Sequence, residues 1–179
     1  MNRLMGIAAD SEASQEAFEI YWMLQAVAEL EPKVIVEIGV HKGGFLKTLR
    51  EAFPTAMLIG VDIDLSLLEF NDAYFIKGDS YSTRTVCRYT DLINGSNKKV
   101  IDFLWIDGDH HYEAAKHDFA LWSPFVRPGG IIGFHDTNSR GIEGVEVDKF
   151  MKELDDNFSY PTLDLLASNM APGTRLIWK

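Results

Sequence analysis

The sequence predicts an α/β fold built on an open, doubly wound and mostly parallel sheet, and three observations predict it. Short apolar runs alternate with amphipathic stretches, as βαβ units require. A glycine-rich turn joins the first of those runs to the helix that follows it. Acids, in two cases with histidines, close successive runs, and in a parallel sheet such strand ends lie side by side around one crevice. The stretch from Leu104 to Asp136 shows this most fully. It brackets one helix between two apolar strands, with Asp107 and His110 after the first and His135 and Asp136 after the second.

Taken in order, Ile20, Leu24 and Val27 at i, i+4, i+7 mark a first helix, with Asp10 or Ser11 as its cap. Strand one is Lys33–Ile38. The turn Gly39–Gly44 opens a helix reaching about Ala52, and Pro54 closes it before strand two, Ala56–Asp62. Strand three is Ala73–Lys77. Tyr81–Ile93 reads as a helix with Val86, Tyr89 and Ile93 on one face, ended by the turn Asn94-Gly95-Ser96-Asn97. Strand four is Val100–Ile106. Ala115, Phe119 and Trp122 place the stripe of the next helix, which stops at Ser123-Pro124, and Arg127-Pro128-Gly129-Gly130 turns into strand five. Val147, Phe150, Met151 and Leu154 define the last helix. Tyr160–Ala167 and Thr174–Trp178 are joined too closely for a parallel crossover, so they predict an antiparallel hairpin. Trp22, Trp105 and Trp122 fall within apolar patterns and are expected in the core.

Composition bounds the function. A chain of 179 residues needs only one domain, with residues 1–30 as an N-terminal helical segment and 31–179 as the core. With 46% hydrophobic residues and no apolar run long enough to span a bilayer, the chain is expected to be soluble and to have no membrane partner. A lone cysteine, Cys87, and an N-terminus without a signal-like pattern fit the cytoplasm. The formal net charge of −10, with scattered basic residues and only Lys98–Lys99 paired, argues against a nucleic-acid partner and for a small substrate.

Glu37-Ile38-Gly39-Val40-His41-Lys42-Gly43-Gly44 lies between a strand and a helix, where glycines let a ligand approach the backbone. His41 stands where the dinucleotide fingerprint needs glycine, which disfavours a nicotinamide or flavin. Asp62 at the end of strand two suits ribose hydroxyls, and Asp79, followed by Ser80 after strand three, suits an exocyclic amine. Acids at three successive strand ends, Glu37, Asp62 and Asp79, fit a neutral nucleoside carrying a cation better than a pyrophosphate. They point to S-adenosylmethionine.

Through VIVEIGVHKGG, MLIGVDID and FIKGDS, in that order, the chain resembles the class I S-adenosylmethionine-dependent methyltransferases. The resemblance runs from about residue 12 to the C-terminal hairpin. Within that class LWIDGDHHYEAAKHDFALWSPFVRPGGIIGFHD is similar to the small-molecule O-methyltransferase branch, which includes antibiotic and sugar methyltransferases and some proteins labelled cephalosporin hydroxylase. The resemblance implies a Rossmann-like, seven-stranded sheet with an antiparallel last strand. It also implies Gly39, Asp62 and Asp79 at the methionine, ribose and adenine portions of the cofactor, and Glu37, Gly43, Ser80 and Asp107 complete the expected set.

Methyl transfer to a hydroxyl requires an aligned acceptor and a base for its proton. Metal-dependent members of the branch place a base three residues after the first metal-binding Asp and two further ligands after strand five. Carried over, the ligands are Asp107, His135 and Asp136, and the base is His110. Those members have an oxygen ligand where this chain has His135, so the nitrogen favours a transition metal over magnesium, or no metal. Asp109 is an alternative to Asp107, Tyr112 suits either the site or the core, and His111 and His117 read as surface or packing residues. Gly141 and Gly144 make the Asn138–Glu146 loop a candidate lid or a pair of turns. So lean a scaffold leaves the site open or completed by a neighbouring subunit. The leading expectation is a small-molecule or sugar O-methyltransferase; the alternatives are a non-catalytic S-adenosylmethionine-binding or assembly domain and a metal-dependent hydroxylase or hydrolase.

Overall fold

The computed structural model describes residues 2–93, 100–139 and 141–179. The expected turn at Asn94–Asn97, the Lys98–Lys99 pair and Arg140 of the Asn138–Glu146 loop lie outside the described residues.

Alternation along the strands divides the interior into two layers. The strands are β1 (Val34–Ile38), β2 (Met57–Asp62), β3 (Tyr74–Lys77), β4 (Ile101–Ile106), β5 (Val126–His135), β6 (Thr162–Leu165) and β7 (Thr174–Trp178). Ile35, Leu58, Phe103, Trp105 and Ile131 face α1 (Arg3–Ala9), α2 (Ala17–Ala28) and α3 (Gly44–Ala52). Their neighbours Val36, Ile59, Leu104, Ile106, Ile132 and Phe134 face α4 (Thr83–Leu92), α5 (Tyr112–Trp122) and α6 (Val147–Asn157). Every residue of β4 is buried: Asp102 near its start accepts the backbone N–H groups of Lys33 and Val34 and pairs with Arg127, and from Phe103 to Ile106 the strand is apolar on both faces rather than alternating.

The seven strands form one sheet in the order β3-β2-β1-β4-β5-β7-β6. All neighbouring pairs are parallel except those of β7, which runs antiparallel to both β5 and β6. The expected hairpin is therefore present, with its second strand inserted between the first and the rest of the sheet. Register keeps the carboxyl ends level: Ile38 pairs with Val61 and Ile106, Asp62 with Lys77, and Ile106 with Phe134. Gly39, Asp62, Gly78, Asp107 and His135 consequently sit on one rim.

Three expectations need correction. The N-terminal segment holds two helices, because the Asn2 side chain caps α1 through the Leu4 N–H and Glu16 begins α2. Asp10 closes α1, and the Ser11 hydroxyl bonds Thr48 at 2.7 Å instead of capping α2. Arg127–Gly130 belongs to β5 as a bulge and not to a turn. The register jumps there from Ile101–Val126 to Phe103–Ile131, and Lys179 pairs across it with Gly129 and Gly130. Trp22 is 45% exposed, because Ile20, Met23, Leu24 and Val27 take the inner face of α2 and turn it outward against Tyr21. Trp105 and Trp122 are fully buried. Among the described residues no helix is long and apolar enough to cross a membrane.

Candidate active site

A cleft of about 750 Å³ opens along the rim. Its walls are the glycine turn, the ends of β2 and β3, and the segments after β4 and β5, with residues 12–15 along one side. Its size is that of a small-ligand site.

The turn is held by Asp62. Its Oδ2 accepts the backbone N–H groups of Val40 and His41 at 2.8 and 2.9 Å, while Oδ1 accepts that of Asp64 at 2.8 Å. Gly39 donates its N–H to the Val61 carbonyl and has φ +86°, and Gly43 at φ +87° precedes α3. Asp79 Oδ1 accepts the Tyr81 N–H, and the Ser80 carbonyl accepts the Trp122 indole N–H at 3.1 Å. Glu37 is buried, and its Oε2 has no hydrogen-bond partner among the described residues. Burial, reinforced by the charges of Asp107 and Asp62, holds its carboxyl well above the ordinary range.

Asp107, His110, His135 and Asp136 come together at the other end. His110 Nδ1 lies 2.8 Å from Asp136 Oδ2, and its Nε2 lies 3.7 Å from Asp107 Oδ1. His135 Nδ1 lies 3.0 Å from Asp107 Oδ1 and 3.4 Å from Asp136 Oδ2, while its Nε2 is buried without a partner among the described residues. The hydrogen bond to Asp136 raises the His110 pKa against the effect of burial. Burial opposes charge on His135 too, yet Asp107 and Asp136 carry it up to about 10. Burial likewise works against the Asp136 carboxylate, but its two histidines hold its pKa well below the usual range.

Ligand atoms of Asp107, His110 and Asp136 all lie within 4.8 Å of one another, the geometry needed to hold an ion. The ring of His135 is turned to bridge the two carboxylates. Asp109 is bonded to His111 at 2.5 Å, outside the cluster, and both side chains are exposed. Tyr112 points to Glu153 and Lys116, away from the cleft. His117 packs on Tyr81. The end of the Asn138–Glu146 loop is tied down where the Glu146 N–H meets the His110 carbonyl at 2.8 Å.

Two further side chains reach this region. Gln15, between α1 and α2, donates from Nε2 to Asp107 Oδ2 at 2.7 Å. It sits in no recognisable motif, so only the folded chain reveals it. Asp118 is fully buried on α5, one turn before Trp122, with neither oxygen hydrogen-bonded among the described residues. It left a signal in the sequence, an acid within the apolar stripe of Ala115 and Trp122.

Burial pushes the Asp118 carboxyl up to about 7; the nearby Ser80 hydroxyl works the other way, and Asp79 and Asp109 add to the rise. The folded chain thus keeps a proton that the unfolded chain releases near 3.8, so stability falls as pH rises between those values. Asp118→Asn removes this slope. Urea midpoints should coincide with wild type near pH 4, and the variant should be more stable by about 1–3 kcal/mol near pH 8. A variant no more stable at the higher pH would contradict the assignment.

Sheet order, glycine turn and rim cleft together define a Rossmann-like domain with a small-ligand cleft at its strand ends. Residues 36–137 match the family model described as Methyltransferase domain, and the chain belongs to that family. An uncharacterized protein of Acanthamoeba polyphaga mimivirus is 32% identical over 133 residues, which cover 66% of this chain and 58% of that relative. The matches span 58% or less of the length of the curated relatives. Among solved structures, the MycE methyltransferase of the mycinamycin biosynthetic pathway, in complex with Mg and SAH, superposes with a TM-score of 0.71 at 18% identity, covering 99% of this chain and 54% of MycE. An O-methyltransferase from Bacillus cereus in complex with SAH gives 0.65 at 16% identity, covering 98% and 89%. At these identities the likeness establishes the shared fold.

Proposed function

We propose that the chain transfers a methyl group from S-adenosylmethionine to a hydroxyl of a small molecule or sugar, with His110 as general base. The observation that carries this reading is the meeting, in one cleft, of the glycine turn and Glu37, Asp62 and Asp79 with Asp107, His110 and Asp136. MycE, seen with Mg, SAH and mycinamycin VI, supports a small-molecule acceptor.

When bound, S-adenosylmethionine supplies a methyl group on a sulfonium, open to in-line displacement. The chain's own residues then have separable tasks. Gly39 lines the cleft and lets the Asp107 backbone close up beside it to receive the methionyl portion, whereas Gly43, expected from the sequence in the same role, is not part of the cleft lining and makes room for Phe70 and Leu68. Asp62 Oδ1, with one N–H already accepted, keeps a lone pair for a ribose hydroxyl. Asp79 and Ser80 address the adenine edge, and Ile63, exposed in the cleft beside Asp62, offers an apolar face to the ring. Asp136 fixes the His110 tautomer: Nδ1–H donates to Oδ2, so Nε2 is free to take the acceptor's proton, and the imidazolium formed stays paired. His135 bridges Asp107 and Asp136 and keeps the two carboxylates together.

Incubating the chain with methyl-labelled S-adenosylmethionine and a panel of hydroxylated small molecules and sugars tests this reading. The expected result is a labelled ether. Tight cofactor binding without turnover on any acceptor would instead favour a non-catalytic binding domain.

A second reading is favoured by the convergence of Asp107, His110 and Asp136, whose one nitrogen and two carboxylates fit a divalent transition metal better than Mg²⁺. A metal held there would act as a Lewis acid on the acceptor hydroxyl. The two readings compete for His110, since a ligated imidazole accepts no proton. If the metal is required, exhaustive chelation lowers turnover roughly 10–100-fold and Asp136→Ala mimics it. Unchanged turnover after chelation leaves His110 as the base.

A further inference from the structure

We infer that Gln15 binds the α-ammonium group of the methyl donor through its side-chain carbonyl while its amide N–H holds Asp107, an inference that rests on S-adenosylmethionine being the donor. The side chain is only 7% exposed and lines the cleft, although it comes from the irregular segment that crosses from α1 to α2. That segment is fastened to α3 at two points, Ser11 to Thr48 at 2.7 Å and Glu12 to Lys47 at 2.6 Å, so Gln15 is presented from an anchored backbone. Its amide orientation is fixed by chemistry. Asp107 Oδ2, at 2.7 Å, is an acceptor and therefore faces the NH₂ group, which turns Oε1 elsewhere.

That Oε1 is withheld from solvent and has no donor among the described residues. Glu37 Oε2, on the wall of the same cleft, is in the same condition. Buried acceptors without donors are costly and uncommon, so two among the residues lining one cleft, one of them on a side chain bonded to Asp107, mark a place for a group with several N–H bonds and a positive charge. An ammonium has three donors and no acceptor. It therefore matches an amide oxygen and two carboxyl groups, whereas the carboxylate of the same amino-acid portion would be repelled. The ribose and adenine portions lie toward Asp62 and Asp79, which leaves the amino-acid end of the donor for this corner.

Calorimetric titration of the whole chain with S-adenosylhomocysteine, and with its analogue carrying hydrogen in place of the α-amino group, tests this. In wild type the amine should strengthen binding by about tenfold or more, the scale of a charge-assisted hydrogen bond. Gln15→Met, which keeps the side-chain volume, and Gln15→Ala should each weaken S-adenosylhomocysteine about tenfold and change the analogue less than about twofold. Equal losses for both ligands would reduce Gln15 to a tether of Asp107 and overturn the inference. So would a wild type that binds both ligands equally, a result independent of how the variants fold. A wild type that binds neither removes the donor itself, a failure of the proposed function distinguishable from a failure of Gln15.

Discussion

His110→Ala is expected to lower kcat about 10²–10⁴-fold, the usual contribution of a general base, while the affinity for S-adenosylhomocysteine stays within about threefold. The loss corresponds to roughly 3–5 kcal/mol in the barrier. The separation of the two effects follows from position. His110 is held by Asp136, 2.8 Å away, on the segments after β4 and β5, whereas the residues proposed to hold the donor are those of the glycine turn, Asp62 and Asp79. Removing the imidazole also leaves the Asp136 carboxylate paired with His135 at 3.4 Å, so the cluster need not collapse. The same role requires a neutral imidazole. Because Asp136 raises the His110 pKa above 6.5, kcat/KM should fall as pH drops through a value above 6.5, and that acid limb should vanish from the residual activity of the variant. Rates from labelled-methyl transfer across pH, with binding followed by calorimetry, check both. Full activity in His110→Ala would dispose of the base assignment.

How much of this was legible in the sequence depended on whether a signal was local or came from register. The strands were legible because their runs are largely apolar and bounded by turn residues, and the observed alternation of Phe103 and Trp105 against Leu104 and Ile106 gives each layer its share. The rim followed from topology, since level strand ends bring Gly39, Asp62, Asp107 and His135 together whatever the side-chain details. Ring orientation was not legible. Sequence places His135 beside Asp136, but only the fold turns its Nδ1 to Asp107 and leaves Asp107, His110 and Asp136 as the group able to converge on an ion. Gln15 was hidden for a similar reason: an isolated glutamine in a connecting segment carries no periodicity, and its partner lies 92 positions away. Trp22 shows the opposite failure, a strong apolar residue on the outer face of a helix whose inner face was already complete.

Gly39→Ala should cost roughly 3–5 kcal/mol of stability, a large part of what a domain of this size possesses, and should weaken S-adenosylhomocysteine binding in whatever folded fraction remains. Two effects add. At φ +86° any side chain is strained by about 1–2 kcal/mol, and a β-carbon there would lie 2.0 Å from the Asp107 carbonyl oxygen. A backbone atom cannot swing aside as a flexible side-chain tip can, so β1 and β4 must separate at the point where the Asp107 N–H meets the Ile38 carbonyl at 2.9 Å. Gly141→Ala isolates the first effect. It too has positive φ, +70°, but nothing among the described residues lies within 4 Å of the added carbon, so its cost should stop at about 1 kcal/mol. Urea midpoints of the two variants give the difference, and similar losses would mean that the close approach of Gly39 to Asp107 contributes little. The expected large gap ties stability to chemistry. The contact that only glycine permits is also the contact that brings Asp107 up to the glycine turn, and a substitution there disturbs the donor site and the acceptor cluster together.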